Sequence, residues 1–229
     1  LADVLSALLV GAIALAFVLH LGRLAYASRA RAARAEREDG SAVASVVDEA
    51  EPVVTGTAGV LAWTGSWHGQ SVRITTVVDT LATRKLPTRW LMVSLMEKVA
   101  IPCTFDMMMR PAGPTTFSNF DLLPHTLPPP PGFPDGAVLR TDRRGATFPL
   151  ARIANHLDIF ADGRAKELLI TPNGLRIVWL LAEADRARYG VFRQAEFGDV
   201  RIDPDLLSAL LTAARALREA INRDARQAA

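Results

Sequence analysis

The pattern of apolar and polar positions opens with an uncharged run, Val4 to Gly22 (VLSALLVGAIALAFVLHLG), in which no ionisable group occurs before His20. As a helix rising about 1.5 Å per residue it would extend roughly 28 Å, close to the ~30 Å hydrocarbon core of a bilayer. Being apolar all round, it predicts a transmembrane helix within residues 1–27 rather than an amphipathic helix lying on a membrane surface. A cleaved signal peptide is the competing expectation, because Ala25-Tyr26-Ala27 has the small-x-small form of a cleavage site. Arg23 interrupts that arrangement, and no basic residue precedes the run.

Arg23, Arg29, Arg31, Arg34 and Arg37 crowd the C-terminal side of the run, whereas Asp3 is the one charge before it. That asymmetry predicts a single-pass protein of the bacterial inner membrane, with the N-terminus outside and the larger part of the chain cytoplasmic. The same arginines would face anionic lipid headgroups. Ala7 with Gly11, and Ala12 with Ala16, place small residues at helical spacing and form a candidate helix-docking stripe. His20 is a candidate pigment or haem ligand, although a histidine at that depth more often sits at headgroup level. The Ala- and Arg-rich stretch beyond favours helix. Residues 28–58 read as a basic stalk passing into an acidic linker around Asp48, Glu49 and Glu51.

From residue 59 to residue 229 the pattern changes to that of a folded domain. Alternation along Val72–Val78, with Gly65 and Gly69 as turn candidates, predicts a hairpin of Val60–Thr64 and Val72–Val78. Trp90–Met96 and Thr104–Met109 are further strand candidates, the latter setting Met107 and Met109 on one face and Met108 on the other. Residues 124–134 (PHTLPPPPGFP) predict an extended polyproline strap, with Pro128, Pro129, Pro130, Pro131 and Phe133 as candidate partner contacts. Residues 154–161 read as a strand or a short helix. Helix is expected from Ala165, and again along LRIVWLLAEA, where Leu175, Val178, Trp179 and Ala182 recur at i, i+3, i+4 and i+7. A second hairpin is expected from Tyr189–Arg193 and Glu196–Ile202. The last helix is marked by Asp203 as N-cap, Pro204 at the first position, and an apolar stripe of Leu206, Leu210, Ala213, Leu217 and Ile221. Strands in two clusters with helices gathered late predict an α+β fold, a mixed and mainly antiparallel sheet behind one transmembrane helix.

Composition narrows the chemistry. The 229 residues carry a net charge of +2 and a single cysteine, Cys103. So small a charge argues against a nucleic-acid surface, and one cysteine forms neither an intrachain disulfide nor a Cys-based metal cage. Phosphate-binding loops, HExxH and GxSxG are missing from the sequence. The histidines at 20, 68, 125 and 156 are scattered, and Asp79, Asp106, Asp121, Asp158 and Asp162 stand singly. No catalytic residue, metal site or cofactor is expected.

GSWHGQSVRI, LDIFADG, LLITPNGLRIVWLLAE and DPDLLSALLTAARALREAI together resemble a loosely defined class of bacterial single-pass proteins with a cytoplasmic α+β domain. That resemblance implies architecture only, because the class has no activity to carry over. The expectation for function is therefore a non-catalytic accessory or scaffold subunit. It would dock with the other subunits of a larger inner-membrane complex, photosynthetic (reaction centre and antenna) or respiratory. A tethered module that recruits a soluble partner through the Pro-rich strap is the alternative, and an enzyme with dispersed site residues ranks third.

Overall fold

The computed structural model describes residues 2–57, 60–80, 86–111, 113–192 and 195–227; within these, the side chains of 2–10, 12–14, 24–25, 27–32, 188, 191–192 and 224–227 lie outside the description. The chain divides into two compact units, Leu1–Asp39 and Gly40–Ala229. The first unit is helical, formed by most of α1 (Ala2–Ala44). Uninterrupted helix is the physical consequence of Ala, Leu and Arg without proline from the first residue to the forty-fourth. Within it, Arg34 pairs with Glu38 one turn on, at 2.6 Å.

That helix corrects the expectation of a membrane-anchored α+β fold. Among the described residues no helix is long and apolar enough to cross a membrane. The single-pass, N-outside assignment to the bacterial inner membrane rested on that span and falls with it. Within residues 28–58 the basic stalk is helix, as its Ala and Arg content favours, with α1 running on to Ala44, whereas β1 (Asp48–Val53) stands where the acidic linker was expected.

The second unit is built on one sheet. Its strands are β1, β2 (Val60–Trp67), β3 (Gln70–Asp79), β4 (Thr88–Leu95), β5 (Phe105–Met109), β6 (His125–Leu127), β7 (Ala137–Thr141), β8 (Ala165–Thr171) and β9 (Gly174–Glu183). They lie in the order β1-β2-β3-β4-β9-β8-β5-β7-β6, and every neighbouring pair is antiparallel. The expected two clusters are thus one nine-stranded sheet, with β9, the last strand in sequence, at its centre.

Local chemistry explains most of the strands. β2 and β3 are joined by the two-residue turn His68-Gly69, both at positive φ, the conformation that twists with a hairpin. β8 and β9 replace two expected helices. Their inward residues Leu168, Ile170, Leu175, Ile177 and Trp179 alternate, and Pro172-Asn173 makes the turn between them. Apart from Arg176 the outer positions of β9 include apolar Val178 and Leu180, so the run satisfies helical spacing and strand spacing together. α3 (Arg186–Phe192) stands where a second hairpin was expected. Gly65 in β2 admits no side chain, since a Cβ there would meet the Asp48 carbonyl oxygen at 2.5 Å and Val47 at 2.6 Å. Gly65→Ala is expected to cost about 1–3 kcal/mol by prying β1 from β2, read as a lower urea midpoint and faster amide exchange in β1. An unchanged midpoint would remove that account of the glycine.

One face of the sheet, the inner face, carries the main core. α4 (Pro204–Gln227) starts at Asp203, whose carboxylate accepts from the Asp205 amide at 2.9 Å. It lays Leu207, Leu210, Leu211, Ala214, Leu217 and Ile221 against β4 and β9, and also packs on α2 (Leu150–Ala154). Each such leucine contributes about 1.5–3 kcal/mol by leaving water. Val43, Val47, Trp63, Phe105, Met107, Met109, Phe148 and Phe160 complete this core. The outer face is covered over β4, β9, β8, β5 and β7 by the segment following β5, and the candidate site lies there.

Candidate functional site

Four charged side chains emerge on the outer face from four adjacent strands. Asp106 of β5 lies opposite Arg140 of β7 and Leu169 of β8, and Leu169 in turn lies opposite Arg176 of β9. Glu167 of β8 is one outward position along from Leu169 and faces Met108 of β5. Alternation puts all four on the side away from α4, because Phe105, Met107, Leu139, Leu168 and Ile177 take the inner positions. Glu167 is fully buried and Asp106 is only 2% exposed.

Residues 113–123 (GPTTFSNFDLL) close over this cluster and are termed here the cover loop. Phe117 is buried in a small apolar group with Trp90, Met92, Val178 and Leu180, its ring centre 5.1 Å from that of Trp90. The Ser118 hydroxyl donates a short hydrogen bond to Glu167 Oε1 and accepts one from the Phe120 amide at 3.1 Å. Glu167 Oε2 takes an ion pair from Arg176 Nη2 at 3.1 Å. Arg140 Nη1 donates to the carbonyls of Phe120 (3.4 Å), Asp121 (3.2 Å) and Leu123 (3.4 Å), and its guanidinium stacks 4.9 Å from the Phe120 ring centre. Those carbonyls lie at the end of a single 3-10 turn, Phe120–Leu122, where the Phe120 carbonyl also accepts from the Leu123 amide.

Burial pushes the Asp106 carboxyl up to about 9, reinforced by the Glu167 charge beside it and opposed in part by Arg176 and Arg140. At neutral pH Asp106 therefore keeps its proton. A carboxyl that keeps its proton at neutral pH is chemistry that acid–base catalysts use. Here the neighbouring hydroxyl, of Ser118, is the protein's own, and Glu167 has no contact with solvent.

Asp106 stands singly in the sequence, and Glu167, Arg140, Arg176 and Ser118 are not among the site residues expected from it. A signal was present: TFDMMM, AVLRT and GLRIVWLL each carry one charge, and AKELLIT two adjacent ones, within stretches otherwise free of charge. The positions chosen from sequence do not gather at this cluster. His20, Arg23, Arg34 and Arg37 are exposed on α1, as are Gly11 and Ala16, while Ala7, Ala12, Arg29 and Arg31 lie outside the described side chains. In the Pro-rich strap, Pro128, Pro129 and Pro131 are exposed, whereas Pro130 is half-buried and Phe133 packs on the inner core. The strap begins as β6 and so lies along its own domain. Cys103 is buried, His68 and Asp158 are exposed, and His125 and His156 are half-buried. Among the described residues no group of three or more His, Cys, Asp or Glu side chains is placed to hold a metal ion.

No family model matches the chain, and no curated protein matches it. Among solved structures it is similar to the crystal structure of the mycobacterial trehalose monomycolate transport factor A, TtfA, at 12% identity and a TM-score of 0.44, over 81% of this chain and 93% of that chain. At that identity and score the likeness brings no function to this protein.

Proposed function

We propose that the sheet domain is a non-catalytic interaction module, an accessory subunit held at a fixed ratio in a larger complex. The observation that carries this reading is how the buried charges are used. Ser118 and Arg176 take up Glu167, and Arg140 holds the cover loop, so the groups that would serve a reaction clamp the protein to itself. The sheet edges direct a partner to a face. β1 carries a bulge, Pro52 and three acidic residues, and β6 is three residues long and runs into prolines. Such edges resist addition of a further strand.

The test is native isolation of the full chain through a C-terminal tag, followed by native mass measurement. One partner set at a constant ratio across preparations is expected. Recovery of the chain alone, or with a changing set of proteins, would sink the reading.

A further inference from the structure

We propose that the cover loop is a displaceable internal occupant of a binding surface on the outer face of β4, β9, β8, β5 and β7. The external occupant is an extended segment of a partner polypeptide that presents a hydroxyl between two aromatic side chains. This rests on the interaction-module reading and names the site and the partner class for it.

The way the loop is attached is the first observation. Among the described residues its backbone–backbone hydrogen bonds run within itself, Leu122 to Asn119 and Leu123 to Phe120, and none joins it to a strand. Side chains alone hold it: Phe117 on Trp90, Ser118 on Glu167, Phe120 and three carbonyls on Arg140. Removing it breaks no ladder bond. A segment fastened this way opens at a lower free energy than the sheet beneath it. Its ends are built to turn, with Pro111, Pro114 and Gly113 (φ 93°) on one side and Pro124 on the other.

The second observation is what the loop leaves unmet. Asp106 Oδ1, Trp90 Nε1, Arg140 Nε and Arg176 Nε are buried polar atoms without hydrogen-bond partners, and all four belong to this face. Asp106 is 2% exposed and Trp90 is 8% exposed, so neither is relieved by solvent. Three of these atoms are donors; protonated Asp106 supplies further hydrogen-bonding capacity. An occupant whose backbone carbonyls reach these donors fits the surface better than the loop does, because each buried group left unpaired carries a penalty. The loop itself shows which side chains the surface accepts: an aromatic against Trp90, a hydroxyl on Glu167, and an aromatic over Arg140.

The test uses the purified full chain and a fluorescein-labelled peptide of residues 113–123, read by anisotropy. F117A/F120A, which cuts both aromatic anchors, is expected to bind the peptide at least about tenfold more tightly than the wild type, whose own loop competes. E167Q placed in that background, or alanine for the serine in the peptide, is expected to weaken binding. A second opened variant, with 113–123 replaced by a Gly/Ser linker of equal length, is expected to bind like the first. Hydrogen exchange of the wild type should show loop amides opening before those of β5 and β8. The proposal is overturned if folded opened variants do not bind the peptide, or if the loop exchanges only with global unfolding. It is equally overturned if neither opened variant folds, because the loop is then part of the core. Because the assay contains no partner, failure here leaves the fixed-ratio complex standing, and failure to isolate a complex leaves this result standing.

Discussion

Replacing Glu167 with alanine is expected to lower the unfolding free energy by about 3–5 kcal/mol, the usual cost of removing one member of a buried ion pair. The substitution strands the Arg176 guanidinium, whose side chain is 22% exposed, and leaves the Ser118 hydroxyl without its acceptor. Asp106 moderates the loss. Once Glu167 is gone its carboxyl is relieved of a neighbouring negative charge, ionises more readily, and takes over part of the field of Arg176. A chain in which Glu167 and Arg176 are both replaced by leucine is expected to lose much less, since no buried charge is orphaned. Urea unfolding of the two variants distinguishes the cases. If E167A costs under about 1 kcal/mol, the cluster does not clamp the cover loop, and the further inference loses its Glu167 contact with it.

The second large effect is on pH dependence. An unfolded aspartate titrates near about 3.9, whereas folded Asp106 keeps its proton up to about 9. Between those values the native state binds one proton more than the unfolded state, so stability falls as pH rises. The slope approaches ~1.4 kcal/mol per pH unit where the linkage is complete. D106N keeps a neutral side chain of the same shape and removes the titration. Unfolding midpoints of the wild type are expected to drop from pH 5 to pH 9, those of D106N to change far less, and D106N to be the more stable protein at pH 9. Parallel curves for the two proteins would show that Asp106 is not the group that titrates.

Legibility differed from element to element for definite reasons. The β2–β3 hairpin was readable because alternating apolar positions flank a short turn that ends in glycine. α4 was readable because Asp203, Pro204 and a one-sided apolar stripe satisfy capping and periodicity together. Strands stand where helices are expected over β8 and β9 because β9 is apolar on both faces except at Arg176, so helical spacing is found inside it. β1 resembles linker in sequence because an acidic edge strand with a proline has little intrinsic preference for a sheet, and pairing with β2 supplies it. The candidate site escaped for a related reason. Its charges come from β5, β7, β8 and β9, more than sixty positions apart at the extremes, and nothing local marks them as neighbours.

By itself, then, the sequence determined what short-range physics controls: where chains of alternating side chains turn, where a helix is capped, and which of two faces a methionine takes. The strand order was decided by the tertiary structure alone, because β9 enters the centre of the sheet only once β4 and β8 are present to accept its hydrogen bonds. That insertion brings Arg176 to Glu167, sets Asp106 beside both, and holds a proton on a carboxyl that in water would give it up. Desolvation and long-range pairing made the cluster, and neither is a property of any one segment of the chain.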